Sequence, residues 1–161
     1  MSHRLALVVP LLISLALGCG ASSIRTRLSP LAGAVVDTLD LAAAAVIELV
    51  DSVIAAGGIE IKVVSPAEGY LETQWFDTLT ETPVDSGNDS DAVVRMRFWA
   101  DPVRAGVQAQ LISEVVYLQR IDPSLPEREL ETLAPPGHPG YALLQEIVEQ
   151  IENPHASLDS L

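Results

Sequence analysis

Residues 59–76 carry the strongest structural signal in the sequence, a pattern that predicts a β-hairpin. Residues 59–64, Ile-Glu-Ile-Lys-Val-Val, alternate apolar and polar side chains, as a half-buried strand does. Residues 65–69, Ser-Pro-Ala-Glu-Gly, are turn formers, and residues 70–76 are aromatic and extended. The segment is therefore predicted to form a strand, a turn and a second strand.

A specific register follows if Ser65 and Gly69 face each other across the turn. Three pairs then share one face: Ile59 with Trp75, Ile61 with Thr73, and Val63 with Leu71. On the other face the same register places Lys62 opposite Glu72, an opposite-charge pair worth about 0.2–1 kcal/mol. Trp75 is expected in the core, on the face that packs against helices.

Further segments complete an α+β fold. Periodicity and breaker residues predict a strand at 31–38, a helix at 41–56 with Asp40 as N-cap, strands at 92–100 and 107–119, a helical turn within 127–133, and a helix at 141–151. We expect one antiparallel sheet of four to five strands with two helices packed on one face. A single domain would span residues 31–152, and residues 153–161 would form a disordered tail.

The N-terminus is typical of an export signal. One positive charge precedes an apolar run over residues 5–18, too short at about 21 Å to cross a bilayer core of about 30 Å as a helix. Residues 15–19, Leu-Ala-Leu-Gly-Cys, resemble the lipobox of bacterial lipoproteins. The resemblance implies cleavage after Gly18 and lipid attachment to Cys19, with residues 19–30 as a tether.

An ordinary secretory signal with an incidental Cys19 is the alternative. Cys19 is the only cysteine of the chain, which leaves no partner for a disulfide. Gly20 follows where lipoproteins kept at the inner membrane often have Asp, so the resemblance favours the periplasmic side of the outer membrane. Several acyl chains would hold the protein there far better than one.

The charge of the chain argues against nucleic acid as a partner. Without residues 1–18 the protein has 8 basic and 22 acidic side chains, a net charge of −14. Phosphate backbones and anionic lipid headgroups are bound by clusters of Lys and Arg. We therefore expect contact with the membrane only through the lipid.

Catalytic, metal and cofactor motifs are not evident in the sequence. His138 follows two prolines and a glycine, a setting typical of a surface loop, and His155 lies in the predicted tail. The aspartates of residues 82–91 lack the spacing of a calcium loop. Glu127, Glu129 and Glu131 lie on a segment expected to be solvated, where spacing does not distinguish catalytic carboxylates from a solvated face. We predict a protein that is not an enzyme and holds no metal or cofactor.

The best candidate site is an aromatic and arginine-rich face of the sheet, opposite the helices. Tyr70 and Phe76 alternate along one strand, while Arg95, Arg97 and Trp99 alternate along another. Aromatic residues and arginine are enriched at protein interfaces, so these five are a possible partner-binding face. The alternative is that the arginines pair with Glu72 or other acids across the sheet.

Gly69, Thr73 and Trp75 match a Gly-x-x-x-Thr-x-Trp pattern. Through it, residues 40–120 resemble small bacterial envelope lipoproteins and, more distantly, the repeat domain of the outer-membrane assembly lipoprotein BamC. The resemblance implies a helix-grip-like domain that binds proteins and has no enzyme activity. We therefore expect a lipid-anchored envelope module that binds or assembles an envelope protein, with a carrier of a small apolar ligand or lipid as the alternative.

Overall fold

The structure, a computed structural model, describes residues 28–85, 90, 92–104, 106–120 and 122–153. These residues form seven strands and three α-helices. In chain order they are β1 Val35–Leu39, α1 Ala43–Ala56, β2 Ile61–Ser65, β3 Tyr70–Thr73, β4 Phe76–Asp77, β5 Val93–Arg104, β6 Gln108–Leu118, α2 Glu127–Leu130, β7 Glu131–Leu133 and α3 Pro139–Glu152.

The strands form one sheet whose centre is the long hairpin of β5 and β6. The strand order is β1-β6-β5-β3-β2, and each pairing is antiparallel. Two short strands complete the sheet, because β4 pairs with β5 and β7 pairs with β6. The outer edge of β6 is therefore shared, with β1 along its first half and β7 along its second.

Both long helices pack on the same face of the sheet. Helix α1 buries Val46, Ile47, Val50 and Ile54, a spacing that places them on one side of a helix. These side chains and those of α3 share one core with Met96 and other residues of the central strands. The predicted α+β architecture, with two helices on one face, is confirmed.

The predicted hairpin is present, but a bulge changes its register. Ile61 pairs with Thr73 as expected, whereas a shift between Ile61 and Val63 brings Val63 opposite Glu72. The Lys62 ammonium still lies 3.5 Å from the Glu72 carboxylate. A bulge adds one residue to one strand only, so the pairing slips while the charges remain in reach.

Two details of the prediction are wrong. The sheet has seven strands and not four to five, because β4 and β7 have two and three residues and are too short to show alternation. The N-cap of α1 is Ala42 and not Asp40, and Ala42 makes no side-chain capping bond. Asp40 instead accepts a hydrogen bond from the Gln108 amide at 3.0 Å.

The predicted signal segment, Cys19 and most of the tether and tail lie outside the described residues. Among the residues that the structure describes, no helix is both long and apolar enough to cross a membrane.

Candidate functional site

A network of buried ion pairs occupies the sheet face opposite the helices. Arg97 lies at its centre and is 2% exposed. Its guanidinium donates to Glu72 on β3 at 3.1 Å and to Glu114 on β6 at 3.0 Å. It also holds Glu131 of β7 with two hydrogen bonds, one of them 2.8 Å long. The side chain of Arg97, on β5, thus joins its own strand to three others.

Arg95 extends the network toward its rim. Its guanidinium lies 2.6 Å from the half-exposed carboxylate of Glu127 and 3.4 Å from that of Glu72. The guanidinium carbon also stacks on the ring of Trp75, 4.5 Å from the ring centroid, in a cation–π contact. The positive charge of Arg95 is therefore stabilised both by carboxylates and by the face of an aromatic ring.

Arg128 and residues 29–31 also contact the ion-pair network. Arg128 donates to Glu114 at 3.0 Å and to Glu131 at 2.7 Å. It also donates to the Ser29 carbonyl at 2.6 Å, and the Leu31 amide donates to Glu114 at 2.8 Å. Three arginines thus face three buried carboxylates, so the network is close to neutral.

The electrostatics fix the charge states of the central pair. Burial alone would raise the pKa of Glu131, but hydrogen bonds and charge from Arg97 and Arg128 outweigh it and hold that pKa below its ordinary value of 4.5. Burial would lower the pKa of Arg97, and Glu131 and Glu72 reverse that effect. Both groups therefore stay ionised near neutral pH.

The prediction of an exposed partner-binding face is wrong, because its side chains are buried. Arg95, Arg97, Trp99 and Tyr70 do lie opposite the helices, yet they are only 5%, 2%, 2% and 0% exposed. The rings of Tyr70 and Trp99 contact each other in a tilted arrangement, with centroids 5.5 Å apart. The arginines pair with Glu72 and its neighbours, as the alternative interpretation held. These side chains are interior and present no open surface.

Phe76 and Trp75 lie on the opposite faces from those predicted. Phe76 pairs with Val94 and belongs to the core under the helices, while Trp75 packs with Val93 and Val116 on the other face. The cause is a break in the strand at residues 74–75, between β3 and β4. A shift of one residue exchanges the two faces of every later side chain.

Other candidate groups have structural roles. His138 is the N-cap of α3, where its Nδ1 accepts from the Gly140 amide at 3.0 Å. Glu127 and Glu131 were expected to be solvated and instead belong to the network, whereas Glu129 is exposed. Among the described residues there is no group of three or more His, Cys, Asp or Glu side chains placed to hold a metal.

A groove runs along the outer edge of β1, between that strand and the helices. It comprises three cavities of about 230, 470 and 400 Å³, the first of which lies at the start of β1 and is also lined by residues of β6 and β7. They adjoin, because Val35 and Leu144 line the first and second and Glu152 lines the second and third. We call this the β1–α3 groove.

The groove is apolar at its floor and acidic at its rim. Val35 and Asp37 of β1 face Leu144 and Val148 of α3, while Glu149 and Glu152 stand at the exposed side. The Asp37 Oδ2 atom is buried and has no hydrogen-bond partner among the described residues. Asp37 was not among the predicted site residues, although it is the single charge in an otherwise uncharged strand.

The sequence matches no protein-family model, and no curated protein is significantly similar to it.

Proposed function

We propose that the protein is a lipid-anchored module of the cell envelope that binds another protein and has no catalytic activity. The observation that carries the proposal is the β1–α3 groove, which lies beside an unpaired sheet edge. Within the described residues β1 pairs with β6 alone. An exposed edge strand offers free backbone donors and acceptors to another chain.

The strand lacks two of the features that normally block such pairing. Its five residues, Val-Val-Asp-Thr-Leu, include no lysine and no proline. Val36, on the face of β1 away from the groove, is 51% exposed, so an apolar side chain of the edge strand is accessible. Both features support a protein partner that reaches this edge.

The charged network supports a module without catalysis. Its three arginines and three central carboxylates are already paired with one another. A catalytic carboxylate needs access to a substrate, and Glu114 and Glu131 have side chains 0% and 1% exposed. We assign the network to holding β3, β6 and β7 together.

The packing between helices and sheet favours protein binding over the carriage of a small ligand. Val46, Ile47, Val50 and Ile54 are fully buried against the sheet, so their space is filled. Carrier pockets of about 300–1,000 Å³ enclose most of their ligand. The groove cavities lie instead along the strand edge, where an extended chain could enter.

The membrane anchor and the finer fold belong to the same proposal. Attachment at Cys19 would leave nine residues before Leu28, a reach of about 30 Å at most. The domain would then work close to the membrane, on the periplasmic side of the outer membrane where the host has one. The helix-grip-like arrangement suggested by the BamC resemblance is consistent with two helices on one face.

Processing and partner capture test this proposal in the native host. Globomycin, or Cys19→Ala in the full chain, should leave unprocessed precursor. Wild-type protein should fractionate with membranes and co-purify one envelope protein after crosslinking. Normal processing to a soluble mature form would contradict the anchor. Recovery of no partner from crosslinked membranes would contradict the binding function.

A further inference from the structure

We propose that the β1–α3 groove binds an extended strand of the partner protein, with a lysine or arginine of that strand placed against Asp37. This inference rests on the proposed function, because it names the chemistry of the partner. It follows from the direction of the β1 side chains, the charges around the groove and the unused edge of the sheet.

The shape of the groove fits a strand. β1 has five residues, a length of about 17 Å, and the three cavities follow it from Gly33 to Asp40. A chain that pairs with this edge gains main-chain hydrogen bonds, while its alternate side chains enter pockets. On the helix side these pockets would lie next to Val35, Asp37 and Leu39.

The charge of the groove selects a basic residue at the middle position. β1, α1 and α3 contain no lysine or arginine, so Asp37 has no cation of its own from the elements that border the groove. Among the described residues its Oδ2 atom is buried and has no hydrogen-bond partner, while Asp37 as a whole is partly exposed. Glu149 and Glu152 line the same cavity and add negative charge. A buried carboxylate is stabilised by a paired, hydrogen-bonded cation.

Apolar residues are expected two positions before and after the basic one. In a paired strand, side chains at spacing two share a face with the residue opposite Asp37. They would meet Val35 and Leu39, which lie on the helix side of β1 and contact the core. The recognised pattern is therefore apolar-x-Lys/Arg-x-apolar.

A second copy of this chain does not fit the same edge. Asp37 is the middle residue of β1, so symmetric antiparallel pairing of two β1 strands would place Asp37 opposite Asp37. Like charges directly opposite each other destabilise a sheet. The net charge of −13 adds repulsion between copies.

Selection from a random nine-residue peptide library on the full chain in detergent tests the proposal. We expect selected peptides to share the apolar-x-Lys/Arg-x-apolar pattern. Titration of one such peptide should shift the amide NMR signals of Val35–Leu39 and of α3. Peptides without a basic residue, shifts confined to the β2 edge, or no peptide above background would each overturn the proposal.

Substitutions that remove or reverse the charge of Asp37 test its contact with the basic residue of the peptide directly. Asp37→Asn should weaken binding of the selected peptide at least about tenfold, since a hydrogen bond to a charged group is lost. Glu48→Gln, an exposed charge on α1, is the matched control and should bind as wild type. Asp37→Lys should lose the basic peptide and gain the same peptide with Glu at the central position. Equal binding of both peptides by every variant would contradict the Asp37 contact.

The two proposals fail in different ways. If the crosslinked partner is recovered equally by wild type and Asp37→Asn, and competing peptide does not displace it, the protein-binding function stands and the groove is not its site. If the partner is absent from both, the binding function itself fails.

Discussion

In the interior of the protein, the guanidinium of Arg97 donates two hydrogen bonds to the carboxylate of Glu131, a residue 34 positions later in the chain. Glu131 begins β7, while Arg97 lies in the middle of β5. Between those strands runs β6, whose Glu114 accepts from the same guanidinium. With its bond to Glu72 of β3, one arginine on β5 therefore links four strands of the sheet.

Removal of this arginine should be severely destabilising. Arg97→Met would leave Glu72, Glu114 and Glu131 with fewer partners in the interior, and loss of one member of a buried ion pair costs about 3–5 kcal/mol. Arg97→Lys should also destabilise, because an ammonium cannot reproduce the planar fork. Urea unfolding measures both. Arg104→Met, at an exposed position of β5, is the control and should change the free energy of unfolding by less than about 0.5 kcal/mol.

Acid should remove part of the stability of the protein through Glu131. Because Arg97 and Arg128 lower the folded-state pKa of Glu131, its contribution is complete above the ordinary pKa of 4.5 and is lost as the pH falls through the folded value. The urea midpoint should therefore decrease from pH 6 to pH 3. Glu131→Gln should have a lower midpoint at pH 6 and a weaker dependence on pH. An unaltered slope in that variant, or an equal change in the exposed Glu129→Gln, would contradict this assignment.

Ionisation of the Tyr70 hydroxyl should lower the free energy of unfolding at high pH. Burial, followed by the nearby Glu72 carboxylate, raises its pKa above the ordinary 10.0, so its contribution is complete below pH 10 and is lost as the pH rises. Within the described residues no acceptor meets the geometry of a hydrogen bond with Tyr70 Oη, although the Glu72 carboxylate lies close enough to raise the pKa of the hydroxyl. Tyr70→Phe should therefore unfold with equal or greater stability at pH 7 and resist alkali better. Tyr141→Phe in α3 serves as the control, and a loss of more than about 1 kcal/mol at pH 7 in Tyr70→Phe would reveal a hydrogen bond.

Gly140→Ala should destabilise the protein even though alanine favours helices. A Cβ at this position would lie 2.8 Å from Val94 Cγ1 and 3.1 Å from Val115 Cγ2. Valine side chains are stiff, and overpacking costs about 1–3 kcal/mol, more than the helix preference of about 1 kcal/mol. Thermal unfolding checks the sign. Gln145→Ala, on the exposed face of α3, should not lower the melting temperature measurably.

Alternation and helical periodicity were enough to predict most of the fold. The long strands β5 and β6 and the helices α1 and α3 each repeat their pattern several times, so their existence was evident from local sequence. The assignment of Arg95, Arg97 and Trp99 to the face opposite Met96 was also correct. In each case one residue type recurs at a spacing fixed by backbone geometry.

The candidate site could not be predicted in the same way. Whether Arg97 is exposed depends on α2 and β7, whose charged residues 127–131 look like a solvated segment when taken alone. The face of Phe76 depends on a two-residue irregularity, and the groove depends on where α3 meets β1. These are contacts between distant parts of the chain, which local patterns do not report.

The shared outer edge of β6 also sets an order for assembly of the sheet. Glu114 meets Arg128 across 14 positions of the chain and the Leu31 amide across 83. The longer closure costs roughly 1.5 kcal/mol more chain entropy. We therefore expect the segment that includes β7 to join early and β1 to join late, after the rate-limiting barrier. Weakening β1 should then speed unfolding and leave the folding rate almost unchanged. The strand expected to complete the sheet last is the one whose free side faces the groove.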